Sequence, residues 1–244
     1  MNQKIIKYQF TLFSKSSAIE PTPENIKRSI DLFMTKGFMP SSVQETDPLT
    51  GLNVPRLSMQ SSSNGVVLNF LSNRIDIVKI LGFPGATSCG SLEEFIEIAL
   101  DVSMQASAGF QISFNRMALI VDYMVVDLNV NQFLSAQGKL LPNVPLMGGG
   151  DLFEWDARFV EKARIGDANS EIVNIISSMG RHLIQEFNPA GMTVTDGLMG
   201  QVDINTLAEN TEQIFTDKQC RAFYADAIAV YNRLNALYLG YINS

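Results

Sequence analysis

Ile6-Lys7-Tyr8-Gln9-Phe10-Thr11-Leu12 places an apolar residue at every second position, with Lys7, Gln9 and Thr11 between them. Two-residue alternation is the period of a strand with one face in a core. The reading is decisive because the first 19 residues carry Lys4, Lys7 and Lys15 and no acid, a bias shared by targeting peptides. A targeting peptide would show a compact apolar block and a small-residue cleavage site. The alternation instead makes Lys4 to Phe13 the first strand of a fold.

Outward from that strand the signals are local. Thr22-Pro23-Glu24 starts a helix, with Thr22 as cap and Pro23 at the first helical position. Ile26, Ile30, Phe33 and Met34 fall on one face, and Gly37 closes the helix. A turn at Asp47–Gly51 precedes strands at Val54–Gln60 and Val66–Ile80, joined through Asn64-Gly65, a hairpin signal. Ser91-Leu92-Glu93-Glu94 has the form of a capping box. The helix it opens fades near Ser107–Gly109.

Phe110 to Asp127 reads as one long or broken strand, and a short helix follows near Gln132–Gln137. Phe153, Trp155, Ala157 and Phe159 alternate with Glu154, Asp156 and Arg158, the clearest amphipathic strand in the chain. Glu171–Gln185 and Leu198–Thr206 are further strand candidates, the former open to a helical reading. A Thr-x-x-Gln box at Thr216 opens a final helix with Cys220, Phe223, Ala227, Val230, Tyr231, Leu234, Tyr238 and Tyr241 in a stripe.

The fold class expected is α+β: a mainly antiparallel sheet with helices packed on one face, built from two β-α-β-β-α half-units. The halves are residues 1–109 and 110–244, with a hinge loop at 142–150 containing Gly148-Gly149-Gly150, in one continuous globular unit.

Composition narrows the function classes. Of 244 residues, 46% are apolar and 18% charged, the latter below the roughly 25% usual in soluble domains. With Tyr224, Tyr231, Tyr238 and Tyr241 on the last helix, this points to surface covered by a second copy, a homodimer. The net charge of −7 lies almost wholly after residue 122, and no basic stripe is visible, so no nucleic-acid partner is expected. No apolar run reaches the roughly 20 residues of a membrane span, so no membrane partner is expected either. Cys89 and Cys220 form neither a disulfide framework nor a metal-spaced pair, and they fit a reducing cytoplasm.

Few residues carry chemistry. His182 is the only histidine, and Ser178 and Asp203 are its conceivable companions in a hydrolase. Cys89 precedes a helix start, where thiols are acidified, but it also reads as a small loop residue. Cys220 reads as core. The glycine triplet opens no helix and matches no phosphate loop. Asp122, Asp127, Asp156, Glu161 and Asp203 could hold a divalent metal or act as an acid–base pair, though none occupies a diagnostic motif. No cofactor is expected and no catalytic residue is assigned.

One pattern has more content. In a single sheet, the face away from the helices would present Lys7, Gln9 and Thr11; Arg56, Ser58 and Gln60; Arg158 and Lys162; Asn174, Ser178 and His182; Gln201, Asp203 and Asn205. This is a broad surface of donors and acceptors. Arg158, Asn174, His182, Gln201 and Asp203 are its candidate binding residues.

Asn73-Arg74-Ile75-Asp76-Ile77, Asn115-Arg116-Met117-Ala118-Leu119 and Gly197–Thr206 together resemble a sporadically distributed prokaryotic family of uncharacterised proteins of similar length. That resemblance implies no reaction and no catalytic residues. The function expected is a cytoplasmic non-enzymatic binding or regulatory module in a bacterial or phage accessory or defence system. It would hold a protein partner or small ligand on the polar sheet face. The alternative is a hydrolase or metal-dependent enzyme using scattered acids, or His182 with Asp203.

Overall fold

Burial of alternate residues turns the opening stretch into β1 (Asn2–Phe13), whose Tyr8, Phe10 and Leu12 are buried against helices. The computed structural model describes residues 1–14, 19–82, 88–141, 153–166, 171–188, 191–212 and 214–243. After β1 come α1 (Pro23–Phe33), β2 (Phe38–Thr46), β3 (Asn53–Ser61), β4 (Val66–Phe70), β5 (Arg74–Ile80) and α2 (Leu92–Phe110). The second half contains β6 (Arg116–Val126), α3 (Val130–Leu140), β7 (Trp155–Arg164), β8 (Ile172–Asn188), β9 (Gly191–Thr206) and α4 (Asp217–Asn243). The expected hinge at 142–150 lies outside the described residues.

The strands form one nine-stranded antiparallel sheet in the order β2-β3-β4-β5-β1-β6-β9-β8-β7. In each half the first strand is central and the last strand of the following series returns to pair with it: β5 with β1, β9 with β6. The expected β-α-β-β-α plan is thus fuller than written, with four strands between α1 and α2 and three between α3 and α4.

The helices pack on one face. Phe33 meets Phe38, Phe95 stacks on Tyr8 at 5.4 Å, Tyr224 stacks on Phe10 at 3.9 Å, and the Tyr238 hydroxyl donates to Ser177 Oγ at 2.6 Å. The Tyr224 hydroxyl also lies 3.1 Å from the Thr11 carbonyl oxygen and 3.2 Å from that of Ala118. It therefore pins the β1–β6 seam from the core side, at the point where Thr11 and Ala118 are partners.

The capping signals are realised. Thr22 and Ser91 accept backbone N–H groups of Asn25 and Glu94, and Thr216 and Gln219 bond reciprocally. Gly37 closes the turn after α1 at φ 79°, where a side chain would be strained.

Several expectations are corrected. Val66–Ile80 is two strands, because the chain reverses at Leu71–Asn73 and Phe70 pairs with Ile75. Residues 38–46 form a strand that alternation does not announce, since β2 is an edge whose Met39 is exposed. The strand expected from Phe110 starts at Arg116, because α2 runs on to Phe110 and Gln111 ends it in a left-handed conformation. In β7 Trp155 and Ala157 are buried and Ala163 packs partly against the core. Phe153 and Phe159 are 58% and 45% exposed, beyond the cover of the helices. The α4 tyrosines offered as interface surface are filled by the chain itself: Tyr224, Tyr231 and Tyr238 are buried.

Candidate functional site

Among the described residues no helix covers the opposite face of the sheet, and strand register fixes what it presents. Lys7, Gln9 and Thr11 on β1 face Asp122, Ile120 and Ala118 on β6. These face Gln201, Asp203 and Asn205 on β9, which face Ser178, Ile176 and Asn174 on β8, and then Arg158, Val160 and Lys162 on β7. The five candidate binding residues thus share one face, but they are not one site.

Much of this face is paired with itself. Lys7 Nζ meets Asp122 Oδ2 at 2.8 Å while Gln201 Nε2 donates to Asp122 Oδ1 at 2.8 Å. Gln9 donates to Thr11, Thr11 donates to Asp76 Oδ1 at 2.8 Å, and Arg74 Nε donates to Asp76 Oδ2 at 3.0 Å. Ser58 donates to Asn69, and Arg56 pairs with Glu45. Mutual satisfaction of this kind is what half-buried polar groups require.

The centre of the face is a hollow of about 290 Å³ lined by Gln9, Thr11, Phe13, Arg74, Arg116, Ala118, Ile120, Asp203 and Asn205. Ala118 supplies the depth, being a small side chain between Thr11 and Asn205. Thr11 and Ala118 are only 2% and 4% exposed although no helix covers them. The register row at one end of the hollow is Arg74–Phe13–Arg116.

Two charges here are handled differently from their neighbours. Asp203 accepts from Asn205 Nδ2 at 2.9 Å, and Asn205 in turn accepts from Asn174. Burial pushes the Asp203 carboxyl above its usual range, against the opposing pull of Asn205 and the Arg158 charge. Arg116 lies over the Phe13 ring at 4.4 Å, its Nε is buried with no hydrogen-bond partner, and it forms no ion pair among the described residues. Burial also disfavours its charged form.

Of the candidate residues, Asp203 lines the hollow and Asn174 reaches it through Asn205. Gln201 is occupied by Asp122. Arg158 sits opposite Ser178 on the edge strand, where its charge is felt at Asp203. His182 is separate: its Nε2 meets Asp156 Oδ1 at 3.0 Å, directly over Gly180. The pairing of His182 with Asp203 is corrected, since Asp203 is in register with Ile176, about 20 Å along β8 from His182. Burial raises the thiols of Cys89 and Cys220, the latter to about 11, which opposes a reactive thiolate at Cys89.

Arg116, Arg74 and Phe13 were missed. The signal for them was in the two Asn-Arg strand starts, Asn73-Arg74 and Asn115-Arg116, which the fold brings to either side of Phe13. The larger cleft of about 580 Å³ beside α4 is lined by the core side chains Met117, Ile165, Phe215 and Phe223 together with Glu171, Lys218, Gln219 and Asp226. Among the described residues, no three His, Cys, Asp or Glu side chains are grouped to hold a metal ion, and no helix is long and apolar enough to cross a membrane.

Compared with known proteins, the chain matches no family model, and no curated protein gives a match.

Proposed function

We propose that the protein is a non-enzymatic binding module whose ligand sits in the hollow over Ala118. The observation that carries this reading is the pair Arg116 and Asp203. Both line the hollow half-buried and without an ion pair among the described residues, whereas Arg74 in the same hollow, and Lys7 and Arg56 elsewhere on the face, each have a carboxylate. Leaving a charge desolvated and unanswered costs stability, and a ligand is what would recover that cost. The cytoplasm suits two buried, unbridged cysteines.

The test is a titration of the isotopically labelled protein with metal ions, nucleotides and small organic acids, followed by NMR. Saturable shifts are expected at Thr11, Ala118, Ile120 and Asn205. Asp203→Ala should weaken them, Asn174→Ala less, and His182→Ala not at all. Shifts confined to the cleft beside α4, or none, would overturn the reading. Appearance of a product in the same tube would favour the hydrolase or metal-dependent alternative.

A second contact surface is supported by β7, an edge strand on which Phe159 and Val160 point to opposite faces and both stay exposed. Exposed apolar side chains on an unpaired strand edge are a template for strand addition. Homodimerisation through β7 is the form of self-association that this edge favours, in place of contacts through α4.

A further inference from the structure

We infer that the ligand of the hollow carries an oxyanion, a carboxylate or phosphoryl group on a small molecule, and that Arg116 holds it. The inference rests on the hollow being the binding site and adds the chemistry of one end of the ligand.

The argument begins with the Arg74–Phe13–Arg116 row. Strand register sets Phe13 directly opposite Arg74 on β5 and directly opposite Arg116 on β6. Side chains in such positions have Cβ atoms about 4.5–5.5 Å apart, and of the two arginines it is Arg116 whose guanidinium lies over the Phe13 ring. Arg74 is answered by Asp76 through its Nε. Arg116 is not: the opposite charges felt there are those of Glu209 and Asp203, and neither forms an ion pair with it. The Phe13 ring holds the guanidinium in place at 4.4 Å, and its Nε edge is closed off from water. A pre-oriented guanidinium is the preferred partner of a planar carboxylate or a phosphoryl group, because its fork of donors matches two acceptor oxygens.

The rest of the hollow limits the ligand. Its volume of about 290 Å³ is at the small end for ligand sites. The chain's net charge of −7 repels polyanions at long range, which favours a compact ligand over a nucleic acid. At the far end, Asp203 keeps acceptor capacity beyond its one bond from Asn205. A ligand with an oxyanion at one end and a hydroxyl or amine at the other would answer both charges.

The test uses the full chain at constant ionic strength, with inorganic phosphate, succinate and uncharged succinamide as probes in NMR titrations. Phosphate or succinate should shift Phe13, Arg116 and Ala118 saturably, while succinamide should not, and the tighter of the two anions identifies the group. Arg116→Met should weaken anion binding by about tenfold or more, as truncating a charge-assisted contact does. Arg116→Lys, which keeps the charge without the fork, should fall between and guards against a Met variant that does not fold. Unchanged anion affinity in both variants, or shifts outside the hollow, would overturn the inference. Succinamide shifting the hollow as strongly as succinate would sink the oxyanion but leave the binding site standing. No shift of the hollow by any probe here or in the wider panel would remove both.

Discussion

Tyr123 lies across Gly200, where an added Cβ would collide with the ring, and its buried hydroxyl has no hydrogen-bond partner among the described residues. A buried unpaired hydroxyl costs about 1–3 kcal/mol, so Tyr123→Phe should raise stability by about 1 kcal/mol in urea unfolding. A loss of stability would mean that the hydroxyl is satisfied by water. Gly200→Ala should cost about 1–3 kcal/mol in the same assay, because the ring has to move within a packed core. Asp203 makes a signed prediction about pH. Its carboxyl is raised in the folded state, so the unfolded chain releases this proton at lower pH and stability falls as pH rises through the folded value. Asp203→Asn should therefore be more stable than wild type at pH 7, with the gap closing as pH falls towards the unfolded value. Thermal melts across pH check this, and a gap that widens in acid would contradict it. At this scale the sequence was partly legible. Asp203 could be named from strand alternation alone, whereas Arg116 could not, because its lack of a counter-charge depends on which strands flank β6.

The β8–β9 hairpin shows how elements differ in support. Its strands are 17 and 16 residues long, yet β7 pairs with β8 only as far as Arg181 and β6 with β9 only as far as Leu198. Beyond His182 and Gly197 the two strands pair, among the described residues, only with each other, and a two-stranded ribbon is marginal by itself in water. Amide exchange should therefore be faster at 183–185 and 194–196 than at 174–179 and 199–205. Equal protection would mean that something covers the ribbon. Helix starts at Thr22, Ser91 and Thr216 were legible because a cap is a contact within four residues. The edges were not. β2, with one strand neighbour, exposes Met39 and carries no apolar alternation, while β7 alternates plainly in sequence yet exposes Phe159, so its alternation shows the strand and not the extent of its burial. The β4–β5 reversal was hidden for the opposite reason: both strands are apolar, and only the short Leu71–Asn73 turn divides them.

Across the whole molecule the β1–β6 seam carries the most consequence. It joins the two halves in one sheet, and Tyr224 of the second half packs on Phe10 of the first. A fragment of residues 1–109 would bare the β1 edge and the Phe10 face together, so it should aggregate or stay unfolded, and co-expressed 110–244 should rescue it. A soluble, cooperatively melting 1–109 fragment would show that the first half is independent. For self-association, light scattering at micromolar concentration should give twice the 26.9 kDa chain mass, and Phe159→Glu should return the single-chain mass. Wild type at single-chain mass throughout would refute the dimer. The sequence by itself determined the α+β class, the first strand, the capped helix starts and which side of β1, β8 and β9 is polar, because period and caps are set by neighbours along the chain. Only the tertiary structure decided strand order, the separation of His182 from Asp203, and the meeting of Arg74, Phe13 and Arg116. Those depend on register between strands distant in sequence, where a shift of one residue would turn each side chain to the other face.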